Sequence, residues 1–113
     1  MILKTGDVIL VAHRRLFETD RHRFFLGTVE TYEGGLAAVN GYTFAREDID
    51  GTFVRKADPV TKIVTLTSGS LMTYRLPPGV VVDDARIIAE TGRLILTDGH
   101  GLEMNLSEHL LPE

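Results

Sequence analysis

The sequence contains no cysteine and no tryptophan among its 113 residues. Without cysteine, the chain has no disulfide bond, no thiolate nucleophile and no cysteine-ligated zinc or iron–sulfur site. It also has no apolar run near the ~20 residues that a membrane-spanning helix needs, which predicts that it is not an integral membrane protein. The segment from Met1 to Asp7 lacks the positive and apolar regions of a secretory signal. We therefore expect a cytoplasmic protein with no membrane partner.

Positive charge is scarce, since 12 lysines and arginines stand against 16 aspartates and glutamates for a net charge of −4. Binding to polyanions depends on clustered positive charge, so this balance argues against a general nucleic-acid binder. The acidic excess lies wholly in residues 57–113, whereas residues 1–56 carry eight basic and eight acidic groups. The composition is therefore compatible with a local basic patch in the first half of the chain.

Glycine is plentiful, with eleven residues against four prolines and eight aromatic residues. The glycines recur between short runs of apolar and β-branched residues, for example at Gly34-Gly35, Gly69 and Gly99. Glycine supplies the positive φ that tight hairpin turns require, so this spacing predicts antiparallel hairpins. Gly41 lies inside one of the runs, where it predicts a bulge or a barrel corner.

The runs between the glycines have the patterns of short strands. Val8 to Ala12 is continuously apolar, rich in β-branched residues and short for a helix. Residues 102–106 alternate between apolar and polar side chains, as in a strand with one buried face. Helical patterns are limited to one turn at Val82 to Arg86, which we expect Asp83 to cap, and one at Ser107 to Leu111.

Together these patterns predict eight or nine short strands in one all-β domain, residues 1–113, with little or no helix. We expect residues 1–58 to form a small antiparallel barrel or strongly bent sheet, SH3-like in character. We expect residues 59–113 to form a C-terminal β-meander that closes onto this first part.

Two segments resemble parts of known β-structures. Phe25 to Gly35 resembles the bent strand–turn–strand unit of Sm-like and SH3-like small barrels, and this resemblance implies the character of the fold alone. Tyr74 to Thr97 is similar to a segment of small heat-shock proteins. Each resemblance covers a short part of the chain, and we assign the chain to neither family.

The densest group of functional side chains lies between the first two long strands. Residues 13–23 hold four arginines and two histidines. Five of these residues are candidate ligand-binding residues: Arg14, Arg15, Arg21, His22 and Arg23. Such an arm would hold a phosphate or a nucleic-acid backbone, with Phe17 or Phe24 available for stacking. The competing interpretation is a solvated hairpin in which Glu18 and Asp20 cancel half of the arginine charge and protect a strand edge.

No metal-binding or catalytic motif emerges from the other residues. His100, Glu103 and His109 are the histidine cluster that is closest in sequence, and their spacing matches no metal-binding motif. The pair Asp83-Asp84 occupies a turn or cap position, where aspartate is favoured for backbone reasons. We expect no catalytic residue, no metal and no cofactor.

The sequence therefore favours a non-catalytic binding or accessory module. Apolar strand-forming runs at 24–26, 63–64 and 80–82 favour association through strand edges, with a second copy of the chain or with another protein. Burial in the core accounts for the same runs. The alternative function is nucleic-acid or phosphate-ligand binding through the basic hairpin 13–23, which predicts salt-sensitive binding to RNA or DNA.

Overall fold

The computed structural model describes residues 3–13, 23–46, 53–69, 71–90 and 93–106 of the chain. Within these ranges the fold is all-β, as predicted, and the helical content is one 3-10 turn, Val82–Asp84. None of the described residues belongs to a helix long and apolar enough to cross a membrane. The described strands are β1 (Val8–His13), β2 (Arg23–Glu33), β3 (Leu36–Arg46), β4 (Phe53–Arg55), β5 (Val60–Thr65), β6 (Leu71–Arg75), β7 (Arg86–Glu90), β8 (Arg93–Thr97) and β9 (Glu103–Asn105).

The first sheet contains six antiparallel strands in the order β4-β3-β2-β1-β6, with β5 also paired to β3. β4 and β5 pair with successive stretches of β3. β4 pairs with Phe44 to Arg46, and β5 pairs with Leu36 to Gly41. β5 and β6 lie in the segment that we expected to form the C-terminal meander, yet they pair with β3 and β1. The first sheet therefore continues to Arg75, because both strands contribute apolar side chains to its core.

The described strands form two open sheets, and neither of them closes into a barrel. β2 and β3 approach each other closely where Gly27 faces Gly41. A Cβ atom on Gly41 would lie 2.0 Å from the carbonyl oxygen of Leu26, so the position requires glycine. The bulge predicted at Gly41 lies elsewhere, because the register runs unbroken through Gly41 and shifts between Val29 and Thr31.

The second sheet is a three-stranded antiparallel meander, β7-β8-β9. The 3-10 turn Val82–Asp84 precedes it, near the turn predicted from the sequence. The prediction that Asp83 caps this turn is wrong, since the cap position is Val81 and no side chain bonds there. Asp83 lies inside the turn, and its carboxylate instead accepts a hydrogen bond from the Tyr42 hydroxyl.

Two hydrophobic clusters share the buried side chains of the first sheet. The first cluster joins the two sheets, and its fully buried members include Leu10, Leu26, Phe44, Leu94 and Leu96. The second cluster lies on the other face of the first sheet and includes Ile9, Val11, Phe25, Val39 and Val64. Successive residues of a strand point to opposite faces, so the continuous apolar run of β1 supplies both clusters.

Candidate functional site

The basic segment 13–23 is described only at its two ends. Arg14, Arg15, Arg21 and His22 lie outside the described residues. Arg23 is exposed at the start of β2, and His13 is exposed at the end of β1. Phe24 is buried in the first cluster with 1% of its surface exposed, so it is not available for stacking on a base.

His13 and Arg23 share one face of the first sheet with Lys62. Val11 pairs with Phe25, and both side chains belong to the second cluster. His13 and Arg23 lie two residues beyond this pair, so strand alternation places them on the same face. Lys62 of β5 reaches this face as well, because its Nζ lies 4.8 Å from the centre of the Phe25 ring. We call His13, Arg23 and Lys62 the cationic cluster.

The pKa of His13 reflects the charges of the cationic cluster. Partial burial lowers the pKa of His13 below its usual value of 6.5, and the positive charges of Lys62 and then Arg23 lower it further. The three side chains come from three different strands and share one face around the Phe25 ring. A neutral imidazole beside two permanent cations suits the binding of an anion.

Of the cationic cluster, Arg23 alone was a candidate ligand-binding residue; His13 was noted only as part of the segment 13–23, and Lys62 was not considered. It lies 39 positions from Arg23 and outside any basic run. A local signal exists, since Lys62 occurs in the β-branched stretch 60–65 with the same parity as the buried Val64. A lysine on the buried-facing side of a strand is unusual, and this pattern would have singled it out.

The outer edge of β5 is a second candidate surface. β5 pairs with β3, and no other described strand pairs with it. Ile63 is 68% exposed, and the neighbouring Leu36 is 46% exposed. A shallow groove is lined by Thr31, Glu33, Gly34, Leu36, Ala38 and Ile63. We call this surface the β5 edge.

A third group of polar side chains links the first sheet to the 3-10 turn. The Tyr42 hydroxyl donates to the Asp83 carboxylate at 2.8 Å, and this bond is the main cause of a raised Tyr42 pKa. Arg55 stacks on the Tyr42 ring with its guanidinium carbon 4.5 Å from the ring centre, and it donates to the backbone carbonyl of Asp83. These contacts hold the turn against β3 and β4.

His100 extends this polar group from the loop between β8 and β9. Its Nε2 lies 2.8 Å from the Asp84 carboxylate, and both side chains are 55% exposed. Each contact in the group serves to attach one segment to another, and it contains no nucleophile beside a base. Among the described residues, no three histidine, aspartate or glutamate side chains are grouped so that they could hold a metal ion. His109 of the sequence cluster lies outside the described residues.

Comparisons with protein-family models, with curated proteins and with solved structures found no match to this chain.

Proposed function

We propose that this protein is a non-catalytic binding module that self-associates through the β5 edge. The main support is Ile63, whose side chain is 68% exposed in the middle of β5. Among the described strands, β5 pairs with β3 alone. An exposed strand with β-branched residues and an unused edge is a template for pairing with another chain. β5 has the sequence Val-Thr-Lys-Ile-Val-Thr, which has high strand propensity and one charge.

A second copy of the chain fits this edge in one antiparallel register. When Ile63 faces the partner's Ile63, Thr61 faces the partner's Thr65 and Lys62 faces the partner's Val64. A register centred on Lys62 would set two ammonium groups opposite each other, which is unfavourable. The register centred on Ile63 avoids this contact and joins Ala38 and Ile63 of both chains in a continuous apolar stripe.

The expected association is weak. The interface contains one strand of six residues from each chain together with the side chains of the groove. Interfaces at the small end of the known range bind weakly after the loss of translational and rotational freedom, so we expect a dissociation constant of about 10–100 µM. Such a module is monomeric when dilute and dimeric at high micromolar concentration.

The proposal includes the expected SH3-like, barrel-like character of the first sheet. Side chains from β1, β2, β3 and β5 line the second cluster, and Leu66, which follows β5, and Leu71, the first residue of β6, pack against it. This arrangement supports a sheet that curls around its own interior and leaves β5 and β6 at the two ends of the curl.

The first experiment measures molar mass by light scattering from low to high micromolar concentration, for the wild type and for Ile63→Lys. We expect the wild type to approach the mass of a dimer and Ile63→Lys to weaken association at least about tenfold, because two charges would meet at the centre of the interface. Val81→Lys is the matched control, since Val81 is exposed and belongs to neither sheet.

A second variant separates the two edges of the first sheet. Met72→Lys places a charge on β6, where Met72 is 41% exposed. We expect it to dimerise like the wild type. A wild type that stays monomeric at the highest concentration, or a dimer that Met72→Lys dissociates and Ile63→Lys does not, would overturn the proposal.

A further inference from the structure

We propose that the cationic cluster, His13, Arg23 and Lys62, is a binding site for a phosphate group. The ligand class is a phosphate ester or anhydride, either in the backbone of a single-stranded nucleic acid or in a small molecule. This site shares Lys62 with β5, but its side chains lie on the face of the first sheet opposite to Ile63 and the groove.

The geometry of the site is fixed by strands and not by loops. Arg23 and His13 stand side by side at the end of the β1–β2 ladder, one residue beyond the Ala12–Phe24 pair. Lys62 crosses the face from β5 and rests on the Phe25 ring, whose own exposure is 2%. The buried ring faces the ammonium group of Lys62, and Lys62 as a whole is exposed.

The charges of the cluster are not neutralised within the described structure. The ion pair that the described residues contain joins His100 to Asp84, and no described carboxylate pairs with Arg23 or Lys62. Two of the described acidic groups on the first sheet have other contacts, since Glu30 accepts a hydrogen bond from Thr61 and Asp7 accepts one from the Lys4 amide. Within the described ranges, Arg23 and Lys62 share this face without a carboxylate partner, so this part of the surface is positive on a chain whose total charge is −4.

The identity of the side chains favours phosphate. Arginine offers a planar fork of donors that matches two phosphate oxygens, and lysine adds a compact positive charge. The sequence adds Arg14, Arg15, Arg21 and His22 between the two strands that carry His13 and Arg23. Those residues lie outside the described ranges, so the site rests on the three side chains that the strands position.

A bound phosphate ligand should favour the protonated form of His13. The strands around it present Arg23 from β2, Lys62 from β5 and the apolar Leu71 from β6. Partial burial, then Lys62 and then Arg23 lower the pKa of His13 below its usual 6.5, so the neutral imidazole predominates near pH 7. A bound phosphate would oppose this repulsion and raise the pKa of His13, and binding would therefore strengthen as the pH falls toward the lowered pKa of the free imidazole.

The experiment follows the imidazole signals of the full-length protein by NMR, with each histidine assigned by its glutamine variant. The titrants are sodium pyrophosphate and a single-stranded oligothymidylate, both at constant ionic strength. We expect at least one of them to shift the His13 signals and to raise the His13 pKa by about half a unit or more. Saturation by pyrophosphate assigns the site to small phosphate ligands, and saturation by the oligothymidylate alone assigns it to nucleic acid.

Charge-removing variants test the assignment of residues. Arg23→Gln and Lys62→Gln should each weaken the binding about tenfold, because each removes a charged contact to phosphate. His13→Gln should abolish the strengthening at low pH. Lys4→Gln is the matched control, since Lys4 is exposed in the turn that precedes β1.

Two results would overturn the proposal. One is the absence of any shift at His13 with both titrants. The other is binding that Arg23→Gln and Lys62→Gln leave unchanged while replacement of Arg14, Arg15 and Arg21 abolishes it, because the segment would then bind without the strand face. Molar mass is measured for Lys62→Gln in the same buffer, so that a change in self-association is not mistaken for a change in phosphate binding.

Discussion

Asp98 is a single buried carboxylate that organises two segments of backbone. Its side chain is 3% exposed and accepts hydrogen bonds from the amides of Val81, His100 and Leu102 at 3.0, 2.8 and 3.2 Å. Buried backbone amides need partners, and these three obtain theirs from one residue. The position of His100 beside Asp84 therefore depends on Asp98.

We expect Asp98→Ala to lower the Tm by about 5–10 °C, because three amides would lose their acceptor in a small domain. Asp98→Asn should have a smaller effect at neutral pH, since its amide oxygen still accepts. Thermal unfolding followed by circular dichroism measures both variants. An Asp98→Ala protein as stable as the wild type would show that the loop finds other partners.

The pH dependence of the Tm of the wild type and of Asp98→Asn gives a further check. The hydrogen bond from Val81 is the main cause that holds the pKa of Asp98 below its usual 3.8, with those from His100 and Leu102 adding to it. The stabilisation is therefore complete above pH 3.8 and is lost as the pH falls through the lowered pKa of the folded state. The difference in Tm between the wild type and Asp98→Asn should shrink over that acidic range.

At the scale of elements, the 3-10 turn Val82–Asp84 is held by contacts and not by a cap. Tyr42 of β3 binds the Asp83 carboxylate, and Arg55 of β4 donates to the Asp83 carbonyl. A turn of three residues has little stability of its own, so these contacts determine where it lies.

We expect Tyr42→Phe to lower the Tm by about 2–5 °C at neutral pH, because it removes the bond to Asp83 and keeps the ring beneath Arg55. The bond to Asp83 raises the pKa of Tyr42 above its usual 10.0, so its stabilisation is present below pH 10 and is lost as the pH rises through the raised value. Melting curves from neutral to alkaline pH should show the two proteins converging. Asp83→Asn, which keeps an acceptor for the Tyr42 hydroxyl, is the companion variant. A difference in Tm between the wild type and Tyr42→Phe that persists at high pH would contradict this account.

At the scale of the whole molecule, the first cluster binds the two sheets together. Leu94 and Leu96 of β8 are fully buried against Leu10, Leu26 and Phe44 of the first sheet. Separation of the sheets would expose these side chains to water at a large cost in free energy. We therefore expect the chain to unfold as one unit, as the sequence predicted for a single domain.

We expect Leu94→Ala to lower the free energy of unfolding by about 3 kcal/mol, since it leaves a cavity in the first cluster. All three tyrosines lie in the first sheet, in β2, β3 and β6, so no tyrosine of the second sheet contributes to the fluorescence. In urea, the fluorescence transition should shift together with the circular dichroism transition although Leu94 lies in the second sheet. Arg93→Ala, at an exposed position of the same strand, is the control. A fluorescence transition that does not move would indicate two independent units.

The strands and their turns follow from local features of the sequence. The hairpin at Gly34-Gly35 forms as predicted, with φ of 55° and 85° at the two glycines. Alternation in residues 102–106 predicts β9, and the run at residues 8–12 predicts β1. These features are local because an extended backbone alternates its side chains and a tight turn needs particular φ values wherever it occurs.

Local features of the sequence do not indicate which strands pair with each other. β5 has a clear strand pattern, yet nothing in residues 60–65 indicates that it pairs with β3, next to the stretch of β3 that pairs with β4. The convergence of Lys62 with His13 and Arg23 depends on that pairing, so the sequence showed a basic hairpin but not the cationic cluster. Asp83 illustrates the same limit, because a plausible local cap gave way to a bond with Tyr42, 41 residues away.

By itself, the sequence determined an all-β chain of short strands and hairpins, without thiol chemistry and with its excess of acidic groups in the second half. The tertiary structure alone decided which strands share a sheet, which face each side chain occupies and which cations meet. The physical reason is that strand patterns and turns are set by the backbone and its nearest neighbours. Pairing is set by the burial of Leu10, Phe25 and Val64 in clusters that draw on distant parts of the chain.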